Sequence, residues 1–152
     1  LEAFISSKLS KIKECKLIFV GDSSNPQYLK ELKVKIKKHS LEDRVTITGW
    51  TDNQTFSNYL ATTNIAVQLR TKSRGETSAA VLDCMNYAIP TIVNANGSFA
   101  ELDKNSVFML EDNFTVKDLE IALETLYYDK KQRENLGKNA KQEIQLQMIM
   151  AL

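Results

Sequence analysis

Five short apolar runs, each bounded by polar or turn residues, recur along the chain and constrain its fold more than any other feature. They are residues 17–20, 45–48, 65–67, 91–93 and 107–110. Helical patterns stand between them. Leu1, Phe4, Ile5, Leu9 and Ile12 fall on one face of a helix over residues 1–13. Pro26 fits the first turn of a helix over 27–39, with Tyr28, Leu29, Leu32 and Ile36 inward and the lysines outward. Asp52 can cap a helix carrying Phe56, Tyr59 and Leu60. Further helices are expected over 78–87, over 116–128 with Leu119, Leu123 and Leu126 on one side, and over 130–148. Leu17-Ile18-Phe19-Val20 reads as a strand buried on both faces. Strand–helix alternation of this kind implies an α/β fold, a Rossmann-like parallel sheet with helices on both faces. Residues 1–152 are expected to form a single such domain.

In open parallel sheets ligands bind beyond the C-terminal strand ends. The polar groups of this sequence gather at those ends: Gly21-Asp22, Gly49-Trp50-Thr51, residues 70–78 and residues 94–98. The third of these carries Arg70, Lys72, Arg74 and Gly75, then Thr77 or Ser78 as the cap of an apolar helix. A basic loop entering a helix N-terminus attracts phosphate, because the open N–H groups and the positive dipole end add to the side-chain charge. Lys72 and Arg74 are the expected diphosphate ligands, and Arg70 is placed to anchor the loop. Gly75, Thr77 and Ser78 would offer N–H groups and hydroxyls, a role compatible with simple capping. Trp50 is the only tryptophan; it could stack on a base, or pack in the core or at the rim of the fold.

Composition narrows the field. A net charge of +1 supplies no global field for nucleic acid or a membrane surface, so no nucleic-acid partner is expected. Cys15 and Cys84 lie far apart without a Cys-x-x-Cys pattern, and His39 is the sole histidine, so neither a disulfide framework nor a metal site is expected. No apolar run approaches the ~20 residues that span a bilayer. A cytoplasmic location follows as an expectation. Residues 144–152 are apolar with interleaved glutamines and suit a partner, a membrane surface or another domain.

One block carries more specific information: Gly75-Glu76-Thr77-Ser78, Asp83, Ile89-Pro90-Thr91-Ile92-Val93, and Gly97 through Glu101. It resembles the nucleotide-sugar domain of retaining glycosyltransferases of the GT-B fold, in particular the C-terminal domain of family-4-like, group 1 enzymes. Their pattern has two glutamates with seven residues between. Here Glu76 and Asp83 have six between them, and alignment on Asp83 puts Gly75 where the first glutamate falls. The resemblance implies a nucleoside diphosphate sugar as substrate, with no metal or other cofactor. It implies that Asp83 accepts the ribose hydroxyls, that Glu76 is the catalytic candidate, and that Glu101 lies near the sugar. Gly21, and Gly49 and Thr51 beside Trp50, would complete the nucleotide site. In the family this domain opens with a strand and a glycine-rich loop. This chain opens on a helix, so it is expected to be part of a two-domain enzyme and inactive alone, with acceptor and any peripheral membrane contact supplied by other parts.

A non-catalytic nucleotide-binding or scaffold domain is the alternative. A response-regulator-like module fits poorly: Asp22 stands alone after its strand, and Glu111-Asp112 follows the last one.

Overall fold

The computed structural model describes residues 1–72 and 78–150, without the side chains of Met148 and Met150. The chain forms two compact units, Leu1–Tyr59 and Leu60–Leu152. All strand pairs within them are parallel, as expected of a Rossmann-like α/β fold.

In the first unit, α1 (Glu2–Ser6) and a 3-10 turn (Lys8–Lys11) precede β1 (Leu17–Phe19), α2 (Pro26–Lys38) and β2 (Val45–Ile47). The single N-terminal helix expected over 1–13 is broken at Ser7, whose backbone is extended (φ −74°, ψ 162°). Hydroxyls compete for its carbonyls: Ser7 Oγ donates to Phe4 O at 2.8 Å, and Ser10 Oγ to Ile5 O and Ser7 O, each at 2.9 Å. The Arg44 guanidinium ties the segment down through Ser10 O at 2.6 Å and Leu9 O at 3.2 Å. Asn25 caps α2 by accepting the Tyr28 N–H at 3.0 Å, and Pro26 fills the first helical position.

Two burial expectations fail here. Ile18 is 40% exposed, so β1 is not buried on both faces. Its register partner Thr46 is exposed with it, whereas Leu17 and Phe19 pair with Val45 and Ile47 on the covered face. Tyr28 is 51% exposed because it sits in the first turn of α2, away from the buried Ile36.

The helix α3 (Asn53–Thr62) carries the chain across the division between the units. The second unit then runs β3 (Ala66–Gln68), α4 (Ala79–Asn86), β4 (Thr91–Asn94), a 3-10 turn (Gly97–Glu101), β5 (Phe108–Leu110), α5 (Val116–Tyr128) and α6 (Lys130–Met150). Strand order is β3-β4-β5. The central β4 is buried at all four positions. Its side chains alternate between two cores. Val93 joins Val81, Met85, Phe99 and Val107, while Ile92 joins Leu110, Ala122, Leu126 and Leu136. Helix α6 supplies both, with Ala140 and Ile144 to the first and Leu136 to the second.

Close approach makes that possible. A Cβ at Gly137 of α6 would stand 2.1 Å from Ala88 O, just beyond the end of α4. Ala88 itself is left-handed, φ 56°, where α4 turns towards β4. The helix α5 begins with a reciprocal capping box: Thr115 Oγ1 accepts from Asp118 N–H and the Asp118 carboxylate accepts from Thr115 N–H. At its other end Arg133 donates to Leu126 O and Tyr127 O at 2.6 and 2.8 Å, satisfying carbonyls the helix leaves open.

Candidate functional site

The C-terminal ends of β3, β4 and β5 are tied together by side chains. Asn94, the last residue of β4, is fully buried. Its Oδ1 accepts the Arg70 N–H at 2.8 Å, and its Nδ2 donates to Arg70 O at 2.8 Å. The same Nδ2 donates to Asp112 Oδ1, two residues past β5, at 3.1 Å. Asn96 Nδ2 donates to that oxygen as well, at 2.9 Å. The Arg70 guanidinium lies 4.3 Å from the centre of the Phe99 ring, and its Nη1 donates to Ser98 Oγ at 3.4 Å. Arg70 is thus held at both backbone and side chain, as the anchor of the loop that follows.

That loop leads to α4. Lys72 is exposed. Arg74, Gly75, Glu76 and Thr77 lie outside the described residues. Ser78 caps α4, its Oγ accepting the Val81 N–H at 3.4 Å. Beside this helix start is a groove of about 210 Å³, lined by Ser78 and Leu82 of α4, Ser98 and Glu101 of the 3-10 turn, and Glu143 of α6. One Glu143 oxygen accepts from Gln147 at 3.4 Å; the other is buried without a hydrogen-bond partner among the described residues. A groove with hydroxyls, carboxylates and an apolar floor of Val81 and Met85 suits a ligand that presents hydroxyl donors.

Asp83 lies on the other side of α4. Successive residues turn about 100° around a helix, so Asp83 is nearly opposite the groove-lining Val81 and Met85 and about a quarter-turn from Leu82. It is half-exposed. Cys84 next to it is inert at neutral pH: burial, more than the Asp83 charge, pushes its thiol up to about 11.

The unit of residues 1–59 presents its own strand ends. Gly21 and Gly49 pair through an isolated antiparallel bridge, with φ of 123° and 69°. The Gly21 N–H donates to Thr48 Oγ1 at 3.1 Å. Trp50 is 77% exposed, which removes the core-packing alternative, and Thr51 is half-buried. Asp52 caps α3 by accepting the Thr55 N–H at 2.7 Å, and that bond holds its carboxyl below the usual range. His39 follows the last turn of α2.

Sequence reasoning named the loop of residues 94–98 but not the part of Asn94 in it, nor the contact of Asp112 with Asn94 or the place of Glu143 in the groove. A polar residue ending the otherwise apolar run Thr91-Ile92-Val93 was the available signal for Asn94. Among the described residues no three His, Cys, Asp or Glu side chains cluster as metal ligands, and no helix is long and apolar enough to cross a membrane.

The sequence family described as "Glycosyl transferases group 1" matches residues 1–143, and the chain belongs to that family. Among solved structures it is similar to the C-terminal domain of a glycosyl transferase group 1 family protein (LpcC) from Francisella tularensis, with TM-score 0.83 and 20% identity, covering 95% of this chain and 75% of that one. It is similar to Anabaena Alr3699/HepE in complex with UDP-glucose, with TM-score 0.78, 19% identity, and coverage of 93% and 39%. It also resembles sucrose-phosphate synthase from Thermosynechococcus elongatus, with TM-score 0.73, 22% identity, and coverage of 95% and 37%. The chain therefore spans little more than a third of the latter two proteins. At such identities the likeness speaks to the fold, which is that of GT-B C-terminal domains. No curated protein matches by sequence.

Proposed function

We propose, for this member of the group 1 glycosyl transferases, the role of donor-binding domain in a retaining enzyme that moves a sugar from a nucleoside diphosphate to a glycan, lipid or polysaccharide-precursor acceptor. The observation that carries the reading is the strand edge at Arg70: a basic loop leaves a tethered point and runs into the Ser78-capped start of α4. On this reading the diphosphate meets the helix N-terminus with Lys72 and Arg74 beside it. The ribose falls on the Asp83 side of α4 and the sugar on the groove side, near Glu101 and Glu143. Within residues 1–59, taken by themselves, Gly21, Gly49, Trp50 and Thr51 are the candidates for contact with a base. Glu76 is the catalytic candidate.

The chemistry follows from charge. As the glycosidic bond to phosphate breaks, the leaving diphosphate gains negative charge, and fixed N–H dipoles and cations stabilise that state more than the ground state. Loop and helix supply the positive charge, so the reading invokes no metal. The acceptor is assigned to a domain outside these residues, and the 152 residues alone are expected to bind donor without transferring sugar. Both cysteines are free, which suits a reducing, cytoplasmic setting.

Calorimetry with uridine, guanosine and adenosine diphosphates tests the proposal. Micromolar to millimolar binding of one of them is the expected result, and Lys72→Ala should weaken it by about 1.5–3 kcal/mol, less at high salt. A folded chain that binds none of the three is a scaffold instead.

A further inference from the structure

We propose that Asn94 is the positioning residue of this site: its buried carboxamide sets the direction in which the basic loop leaves β3, and Asp112 sets the orientation of that carboxamide. The inference rests on the donor-binding reading above.

The main-chain ladder between β3 and β4 ends at the pair Gln68–Val93. One step further, the Asn94 side chain takes over, offering one acceptor and one donor to the peptide groups of Arg70 as a neighbouring strand would. The parallel pairing is thereby carried past the strand end by a side chain. Burial of an amide in this position is unfavourable unless its groups are matched. Here both kinds are matched, and only one way round. If the amide were flipped, Nδ2 would face the Arg70 N–H while Oδ1 faced two acceptors, Arg70 O and Asp112 Oδ1. Asp112 thus forbids the flip, and Asn96 shares the same carboxylate oxygen. An amide whose every group is matched, as that of Asn94 is, has a single arrangement, although the Asn96 Oδ1 beside it is buried without a partner among the described residues. A single arrangement is what a loop needs if it is to meet phosphate in one geometry.

Asn94 touches no ligand in this scheme; it acts through Arg70 and the residues after it. Asn94→Asp keeps the shape but replaces the donor with a second acceptor, facing Arg70 O and Asp112. In the full chain, by calorimetry with the diphosphate that the wild type binds best, Asn94→Asp is expected to weaken binding about tenfold or more, the scale of one displaced charge-assisted contact. Asp112 is exposed, so Asp112→Ala tests the same lock in a protein that still folds. It should weaken binding in the same direction, and Asp112→Asn, which retains an acceptor oxygen, should restore most of it. A merely structural role would lower thermal stability without touching the affinity of the folded fraction. The discriminating readout is therefore a double-mutant cycle with Lys72→Ala: the two losses should overlap rather than add. Full additivity, or unchanged affinity in both Asn94→Asp and Asp112→Ala, overturns the proposal and leaves donor binding intact. A wild type that binds no diphosphate overturns both.

Discussion

The two units hold their strand ends in different ways. In residues 1–59, β1 and β2 end at Gly21 and Gly49, which adopt positive φ and bridge to one another through the backbone. In residues 60–152, the ends of β3, β4 and β5 are joined by Asn94, Asp112, Asn96 and the Arg70–Phe99 stack. The first solution relies on the freedom of residues without a Cβ. The second relies on matched polar groups laid against a fully buried strand. A glycine turn fixes a bend, whereas a side-chain network fixes a direction. Only the second can hold a long loop at a defined exit.

Three substitutions probe that contrast, in falling order of effect. Gly137→Ala places a methyl where Ala88 O already stands, at 2.1 Å, and should push α6 away from the α4–β4 connection. The expected loss is about 3 kcal/mol of stability in denaturant unfolding, the upper part of the overpacking range. Hydrogen exchange should show the loosening in residues 60–152. Gly49→Ala meets no atom within 4 Å, so only its φ of 69° resists. That should cost about 1–2 kcal/mol, seen as a lower unfolding midpoint with an unchanged slope. A loss equal to that of Gly137→Ala would erase the distinction between a conformational and a packing constraint. Ala88→Gly moves the glycine solution into the second unit. Relief of the left-handed alanine, φ 56°, outweighs the added chain entropy and should stabilise by about 0.5–1 kcal/mol. A destabilised Ala88→Gly would mean that the alanine methyl contributes packing worth more than the backbone relief.

The order of strands and helices was legible because short apolar runs and helical spacing follow from local chemistry. Helix starts were legible for the same reason: Pro26 and Asp52 announce α2 and α3 within a few residues, though the Asn25 cap of α2 went unnamed. Burial was legible only where a strand has neighbours on both edges. β4 is such a strand, and β1, read the same way from Leu17-Ile18-Phe19, leaves Ile18 uncovered. The break at Ser7 went unseen because hydroxyl–carbonyl competition does not disturb hydrophobic periodicity. At the site, the basic loop and the cap at Ser78 stood out as a motif. The Asn94–Arg70–Asp112 lock did not: Arg70 stood out in its basic loop, but Asn94 and Asp112 lie 24 and 42 positions from it and no local pattern marks them as its partners. Only the folding of three parallel strands brings them together.

The exposure of Trp50 has an optical consequence. A protein with one tryptophan has one indole emitter, and this one stands 77% exposed at the end of β2, following a left-handed glycine. Its fluorescence in the resting protein is expected to be that of an indole in water, red-shifted and open to collisional quenchers. Anything that comes to rest on it, whether an aromatic base or a protein surface, moves the emission to the blue or quenches it by stacking, and shields it from iodide. The chain thus carries its own label at the end of β2, and titrations can be followed there without attaching a dye.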